Sequence, residues 1–141
     1  MTNAWVGVAS LDHVRAAVSG GFCQLNHGKL APLRRLHPGD HIVYYAPRER
    51  MGDGAVVQAF VAMGRIMPGE PYQFDTSDGF RPFRRAVRYQ DGHDAAIQPL
   101  LQKLSFTRDR VSWGQVFRRG TFQIEQGDLQ IIAAAMGISA G

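Results

Sequence analysis

The segment from Ala55 to Ile66, AVVQAFVAMGRI, constrains the fold more than any other. A strand with one wet face alternates apolar and polar residues, whereas a strand covered on both sides does not. This run is apolar on both faces. It lies between the turn-forming sequences MGDG and Pro68-Gly69, so it reads as the central strand of a sheet with material packed on both sides. Gly64 interrupts it and predicts a bulge or a close approach of another backbone.

The remaining elements are short. Ala4–Ala9 reads as a first strand, with Trp5, Gly7 and Ala9 on one face and Val6 and Val8 on the other. An indole beside two positions with almost no side chain leaves a hollow, to be filled by core or by a ligand. Ser10 is expected to cap a helix over Leu11–Val18, which Gly20-Gly21 ends. Pro32–Leu36 suggests a single helical turn. His41–Ala46 reads as a strand with Ile42 and Tyr44 on one face and Val43 and Tyr45 on the other. Residues 48–54 read as an exposed loop. Tyr72–Asp75 and Phe83–Tyr89 are expected strands around the loop TSDG. Ile97–Leu104 has helical spacing, Arg108–Gly120 reads as a basic loop, and Thr121–Glu125 as a last strand. Asp128–Met136 is an expected helix that Gly137 stops. Short strands with inserted helices suit a small mixed barrel, and the βαβ regularity of a doubly wound sheet is missing. With 141 residues and no linker or repeat, the chain is read as one α+β domain over 1–141.

Composition narrows the function classes. Apolar residues make up 45% and charged residues 20%, as in a folded globular chain. No apolar run approaches the ~20 residues of a membrane span, and no signal peptide is evident. One cysteine, Cys23, excludes an internal disulfide framework and fits a reducing, cytoplasmic setting. The net charge is +4, but it is localised. Residues 1–80 carry seven basic and seven acidic side chains, while residues 81–120 carry nine basic and three acidic. Such a local excess suits either one face turned toward a polyanion or a plain solvated surface.

Enzyme-like motifs are weak. His37 and His41 are separated by Pro38-Gly39, and Cys23 and His27 have no second pair to complete a metal set. A thiol between Phe22 and Leu25 reads as a buried apolar group. No phosphate-cradling GxGxxG or GxxxxGK[ST] sequence is present, so no cofactor is expected. Arginines interleaved with aromatics are more telling: Phe80-Arg81-Pro82-Phe83-Arg84-Arg85 runs into Val87-Arg88-Tyr89, and Arg108, Arg110, Arg118 and Arg119 flank Trp113 and Phe117. This pattern suits phosphate neutralisation with base stacking. Alternation turns Arg84 and Arg88 outward and Arg85 inward, where an unpaired charge is costly. Phe117 and Phe122 read as core, whereas Trp113, followed by glycine in a basic loop, leans toward function. The loop Gln24-Leu25-Asn26-His27-Gly28-Lys29 adds amide, imidazole and ammonium groups around a glycine that permits close approach of a ligand.

These residues resemble the EVE family of the PUA-like superfamily, related to the YTH and ASCH domains. The matching stretches are WVGVAS, GGFCQLNHGK, PLRRLHPGDHIVYYAP, QAFVAMGRI, GFRPFRRAV, PLLQKLSF and WGQVFRRGTFQI, in order along nearly the whole chain. The loop MGDGA at 51–55 carries nothing over. The resemblance implies a PUA-like mixed β pseudo-barrel with flanking helices and a pocket at its mouth. It also implies a non-catalytic module that reads a modified base in DNA or RNA. The ligand-binding set it implies is Trp5, Ser10, Gln24, His27, Gly28, Lys29, Tyr44, Tyr45, Pro47, Phe83, Arg84 and Trp113, and alternation sends only one of the two tyrosines to the pocket. In this reading Trp113 and one tyrosine stack on the base, Gln24 and His27 read its edge with help from Ser10, and Lys29, Arg84, Arg85, Arg88 and Arg118 hold phosphates. The enzyme alternative uses His27 as a general base on a nucleotide or other small molecule. A third class is a scaffold whose basic face binds an acidic protein.

Overall fold

The structure is a computed structural model and describes residues 2–139. Its strands are β1 (Ala4–Val8), β2 (Phe22–Cys23), β3 (His41–Arg48), β4 (Val56–Ile66), β5 (Tyr72–Gln73), β6 (Phe83–Tyr89), β7 (Ala95–Ala96) and β8 (Thr121–Ile124). Its helices are α1 (Leu11–Gly20), α2 (Leu30–Arg34) and α3 (Gln126–Met136), with short 3-10 segments at Asn26–Gly28, Gln98–Leu100 and Trp113–Arg119. The strands form one curled half-barrel in the order β2-β6-β4-β3-β1-β8, with β5 beside β6 and β7 beside β4. Only β1 and β3 run parallel; the other pairings are antiparallel.

The apolar run at 55–66 becomes β4, bordered by β3 on one side and by β6 and β7 on the other. Gly64 is needed for the approach of β6. A Cβ there would lie 2.7 Å from the Arg88 carbonyl oxygen and 2.7 Å from Val87 Cγ1. Alternation in β3 divides the core. Val43 and Tyr45 join the cluster under α3, with Phe60, Phe117, Leu129 and Ile132. Ile42 and Tyr44 join the cluster under α1 and α2, with Trp5, Val14, Leu25 and Leu33. Burying such side chains supplies most of the drive to fold, at roughly 1.5–3 kcal/mol each.

Some local expectations are corrected. Residues 97–104 form a 3-10 turn followed by further turns, not a helix. Side chains compete there for the backbone groups: Thr107 Oγ1 donates to the Leu101 carbonyl at 2.8 Å, and Ser105 N–H donates to Asp128 at 2.8 Å. The second half of the basic loop is the 3-10 helix Trp113–Arg119. Ser10 has N-cap backbone geometry but makes no capping bond, because the N–H groups it would cap are taken: that of Asp12 donates to the Glu49 carbonyl at 3.1 Å and that of His13 to Asp12 Oδ1 at 2.7 Å. The hollow beside Trp5 is filled by core: a Cβ on Gly7 would lie 2.6 Å from Leu25 Cδ2 and 3.3 Å from Tyr44 Cε1.

Candidate nucleic-acid interface

The end of β1, the start of α1, the 24–28 turn and the end of β3 meet at one rim of the half-barrel. They enclose a cleft of about 1050 Å³, completed by Phe80 and by the end of the last 3-10 helix. That volume is at the upper end for small-molecule sites and accommodates a nucleotide.

The 24–28 turn forms one wall. Asn26, His27 and Gly28 all take left-handed backbone angles, with φ of 47°, 60° and 83°. Asparagine and histidine tolerate this region better than most residues. The turn is held from two distant places. Thr121 Oγ1 donates to Asn26 Oδ1 at 2.6 Å, and Asn26 Nδ2 donates to the Arg119 carbonyl at 3.1 Å. On the other side Gly28 packs on Pro82, where a Cβ would come within 2.4 Å of Pro82 Cβ. The close approach that this glycine permits is therefore to the protein's own chain, not to a ligand. The result is an exposed His27 on the cleft wall.

Gln24 lies deeper. Its backbone N–H donates to Tyr44 Oη and its carbonyl accepts from the same hydroxyl, both at 3.0 Å. Its side-chain Oε1 accepts from Arg84 Nε at 3.0 Å, leaving Nε2–H₂ to meet a ligand acceptor. Arg84 is in turn fixed between two rings, 3.9 Å from the Phe22 centroid and 4.0 Å from that of Phe74. It orients Gln24 instead of extending outward to a phosphate.

Several expected site residues belong to the core. Trp5 is 7% exposed, and its indole N–H donates to the buried Asp40 carboxylate at 3.1 Å. Tyr44 is fully buried, and desolvation drives its phenol far above the usual range. Tyr45 is 2% exposed and stacked on Phe117, with centroids 3.9 Å apart; burial pushes its phenol up to about 12. Neither tyrosine offers a face to the cleft. Trp113 is half-buried against the core and meets Phe117 edge-on at 6.4 Å, so it props a cleft residue without lining the cleft. Phe83 packs on the second core cluster. Lys29 and Arg88 are exposed but off the cleft wall, and Arg85 is buried elsewhere. Desolvation raises the Cys23 thiol to about 12, which removes it as a nucleophile near neutral pH.

Of the expected set, Ser10, Gln24, His27, Pro47 and Arg118 do line the cleft. Asn26 and Phe80, singled out in the polar loop and in the aromatic–arginine run but not in the implied binding set, line it too, and sequence reasoning missed Asp12, His13, Arg48, Arg50 and Met51. Burial lowers the His13 pKa, opposed by a backbone hydrogen bond at Gln24 and by the Asp12 charge. Met51 and Gly52 bring to the rim the loop that was expected to carry nothing. Arg48 donates to the Gly54 carbonyl at 3.2 Å and Arg50 pairs with Asp53 at 3.2 Å. Arg118, exposed on the cleft wall, has no hydrogen-bond or ion-pair partner among the described residues, so its guanidinium is uncommitted.

The family is settled by comparison. The EVE domain profile matches residues 3–135. The chain belongs to the EVE domain family. Among its relatives, a UPF0310 protein of Mesorhizobium japonicum is 47% identical over 139 residues, covering 97% of this chain and 93% of that protein. The UPF0310 protein YdcG of Bacillus subtilis is 38% identical over 138 residues, covering 98% and 94%. Among solved structures, the YTH domain of the Zygosaccharomyces rouxii MRB1 protein, in complex with N6-methyladenosine RNA, superposes with a TM-score of 0.67. It is 16% identical, with 99% of this chain and 87% of that one covered. Protein Atu2648 of Agrobacterium tumefaciens gives a TM-score of 0.59 at 10% identity, covering 99% and 97%. The EVE chain thus shares its architecture with a YTH domain. No helix among its described residues is long and apolar enough to cross a membrane.

Proposed function

We propose that this EVE domain binds nucleic acid and accepts one unstacked base, modified in its preferred ligand, in the large cleft. The observation that carries the reading is the make-up of that cleft. Donor and acceptor groups at Gln24, His13 and His27 line the same opening as Arg48, Arg50 and the uncommitted Arg118. Polar groups inside with guanidinium groups on the same opening match a base attached to its phosphate. The shared architecture with a YTH domain, which that structure holds on a methylated RNA, supports the same reading.

The stacking surface we assign differs from the one the resemblance implies. Phe80, 46% exposed, takes the place given to Trp113 and the tyrosines, and His27 lines the same cleft. Ser10 and Pro47 shape the rim. Phosphate contact falls to Arg118 first, because Arg48 and Arg50 already have partners. The enzyme alternative gains no specific observation, since His27 has no carboxylate partner among the described residues that would hold it as a base.

The test is a panel of short single-stranded oligonucleotides, modified and unmodified, measured across salt concentrations. Affinity is expected to fall steeply with salt, and Arg118→Gln to lower the slope of log K against log salt by about 0.7. Phe80→Ala is expected to cost about 1–3 kcal/mol on every ligand whose base stacks there. Salt-dependent binding with no preference for any modified base removes the modified-base reading and leaves the nucleic-acid one. Binding indifferent to salt, Arg118 and Phe80 together removes both.

A further inference from the structure

A second concavity of about 340 Å³ lies where the end of α2 meets the β4–β5 connection, with Arg34, Leu36, Pro68, Glu70 and Arg85 in its wall. Arg85 is unusual. It is 5% exposed and sits opposite Cys23 in the β2–β6 pairing. Its Nη1 donates to the Leu36 carbonyl at 3.1 Å, while its Nε has no partner. No carboxylate pairs with it among the described residues. A guanidinium removed from water without a counter-charge is destabilising, and folds normally meet such a group with an acid. Here the neighbouring acid, Glu70, is exposed on the cleft wall and unpaired. Arg34, exposed and also without a partner among the described residues, brings a second guanidinium to the same wall.

We propose that this second cleft is a phosphate site, in which one oxyanion bridges Arg85 and Arg34 and supplies the counter-charge that the fold omits. Phosphate oxygens accept charge-assisted hydrogen bonds from guanidinium N–H groups, and the charge of one phosphate offsets the two guanidinium groups. The site is separate from the base-accepting cleft and does not depend on that reading. Its phosphate comes either from free phosphate or from the backbone of a bound strand.

Inorganic phosphate titrated into the whole protein by calorimetry, at constant ionic strength set with chloride, tests this. Saturable binding with one site per chain is expected. Arg34→Gln is expected to weaken it about tenfold, as loss of one charge-assisted contact of ~1.4 kcal/mol. Glu70→Gln should tighten it severalfold, and Arg108→Gln, an equal charge change in the distant basic loop, should leave it within about twofold. Both variants near the cleft alter exposed side chains, so folding is preserved. Absence of saturation, or equal losses for Arg34→Gln and Arg108→Gln, overturns the site in favour of a diffuse surface potential. A sugar-phosphate oligomer lacking bases is then added. Competition identifies the strand backbone as the source, and binding of inorganic phosphate without competition identifies the free ion; each supports the site.

Discussion

The clamp between Asn26 and residues 119–121 can be tested by a double-mutant cycle. Gly120 has φ 76° and ψ −40°, a region strained for any side chain. A Cβ there would also lie 2.4 Å from Asn26 Nδ2 and 3.0 Å from Asn26 Cγ. Gly120→Ala therefore acts twice. The backbone strain costs about 2 kcal/mol. Displacing the Asn26 side chain loses two hydrogen bonds, at about 1 kcal/mol each. The single substitution should destabilise by roughly 4 kcal/mol and Asn26→Ala by roughly 2 kcal/mol. In the double variant nothing remains at position 26 to displace, so the total should stay near 4 kcal/mol, not the sum of about 6 kcal/mol. Urea unfolding of the four proteins gives the cycle. A coupling of about 2 kcal/mol supports the clamp. Additive losses would refute it, because the alanine at 120 would then act without touching Asn26.

Two further outcomes follow from buried polar groups. Tyr44→Phe should cost about 1–3 kcal/mol in chemical denaturation, since it leaves both the N–H and the carbonyl of Gln24 without their buried partner. His41 is 2% exposed with neither ring nitrogen hydrogen-bonded, and its pKa is lowered by desolvation first and the Arg65 charge second, against Asp40. The fold keeps it neutral while the unfolded chain protonates it near its ordinary value of about 6.5. Stability is thus complete above that pH and declines as pH falls toward the depressed folded value. The slope of stability between pH 7 and 5 should flatten in His41→Gln, and an unchanged slope would exclude His41 as its source.

What the sequence made legible was periodic. Alternation correctly divided Ile42 and Tyr44 from Val43 and Tyr45, and the run apolar on both faces correctly marked β4 as interior to the sheet. Of the two readings of Gly64, a bulge or a close backbone approach, the structure shows the approach. Family-specific motifs identified the chain as an EVE domain. The cleft was less legible because long-range partners decide it. Alternation turned Arg84 outward, yet Phe22 and Phe74 hold it, and Gln24, 60 residues away, takes its Nε–H. The resemblance implied that one of the two tyrosines stacks on the ligand, but Phe117 covers Tyr45 and the Gln24 backbone engages Tyr44. His13 lies within a helix whose spacing only marks Val14 and Ala17 as core, so nothing local signals that its ring borders the cleft. Arg85 was read as inward-facing, and the carbonyl that meets it lies 49 residues away.

The left-handed run at Asn26, His27 and Gly28 has a consequence for recognition. Because Thr121, Arg119 and Pro82 impose its shape from elsewhere in the chain, the entropy of ordering that wall is lost during folding and not at encounter. In the proposed reading an incoming base meets the imidazole already poised, so substitutions at position 121 should slacken recognition without removing a single group assigned to touch the guest.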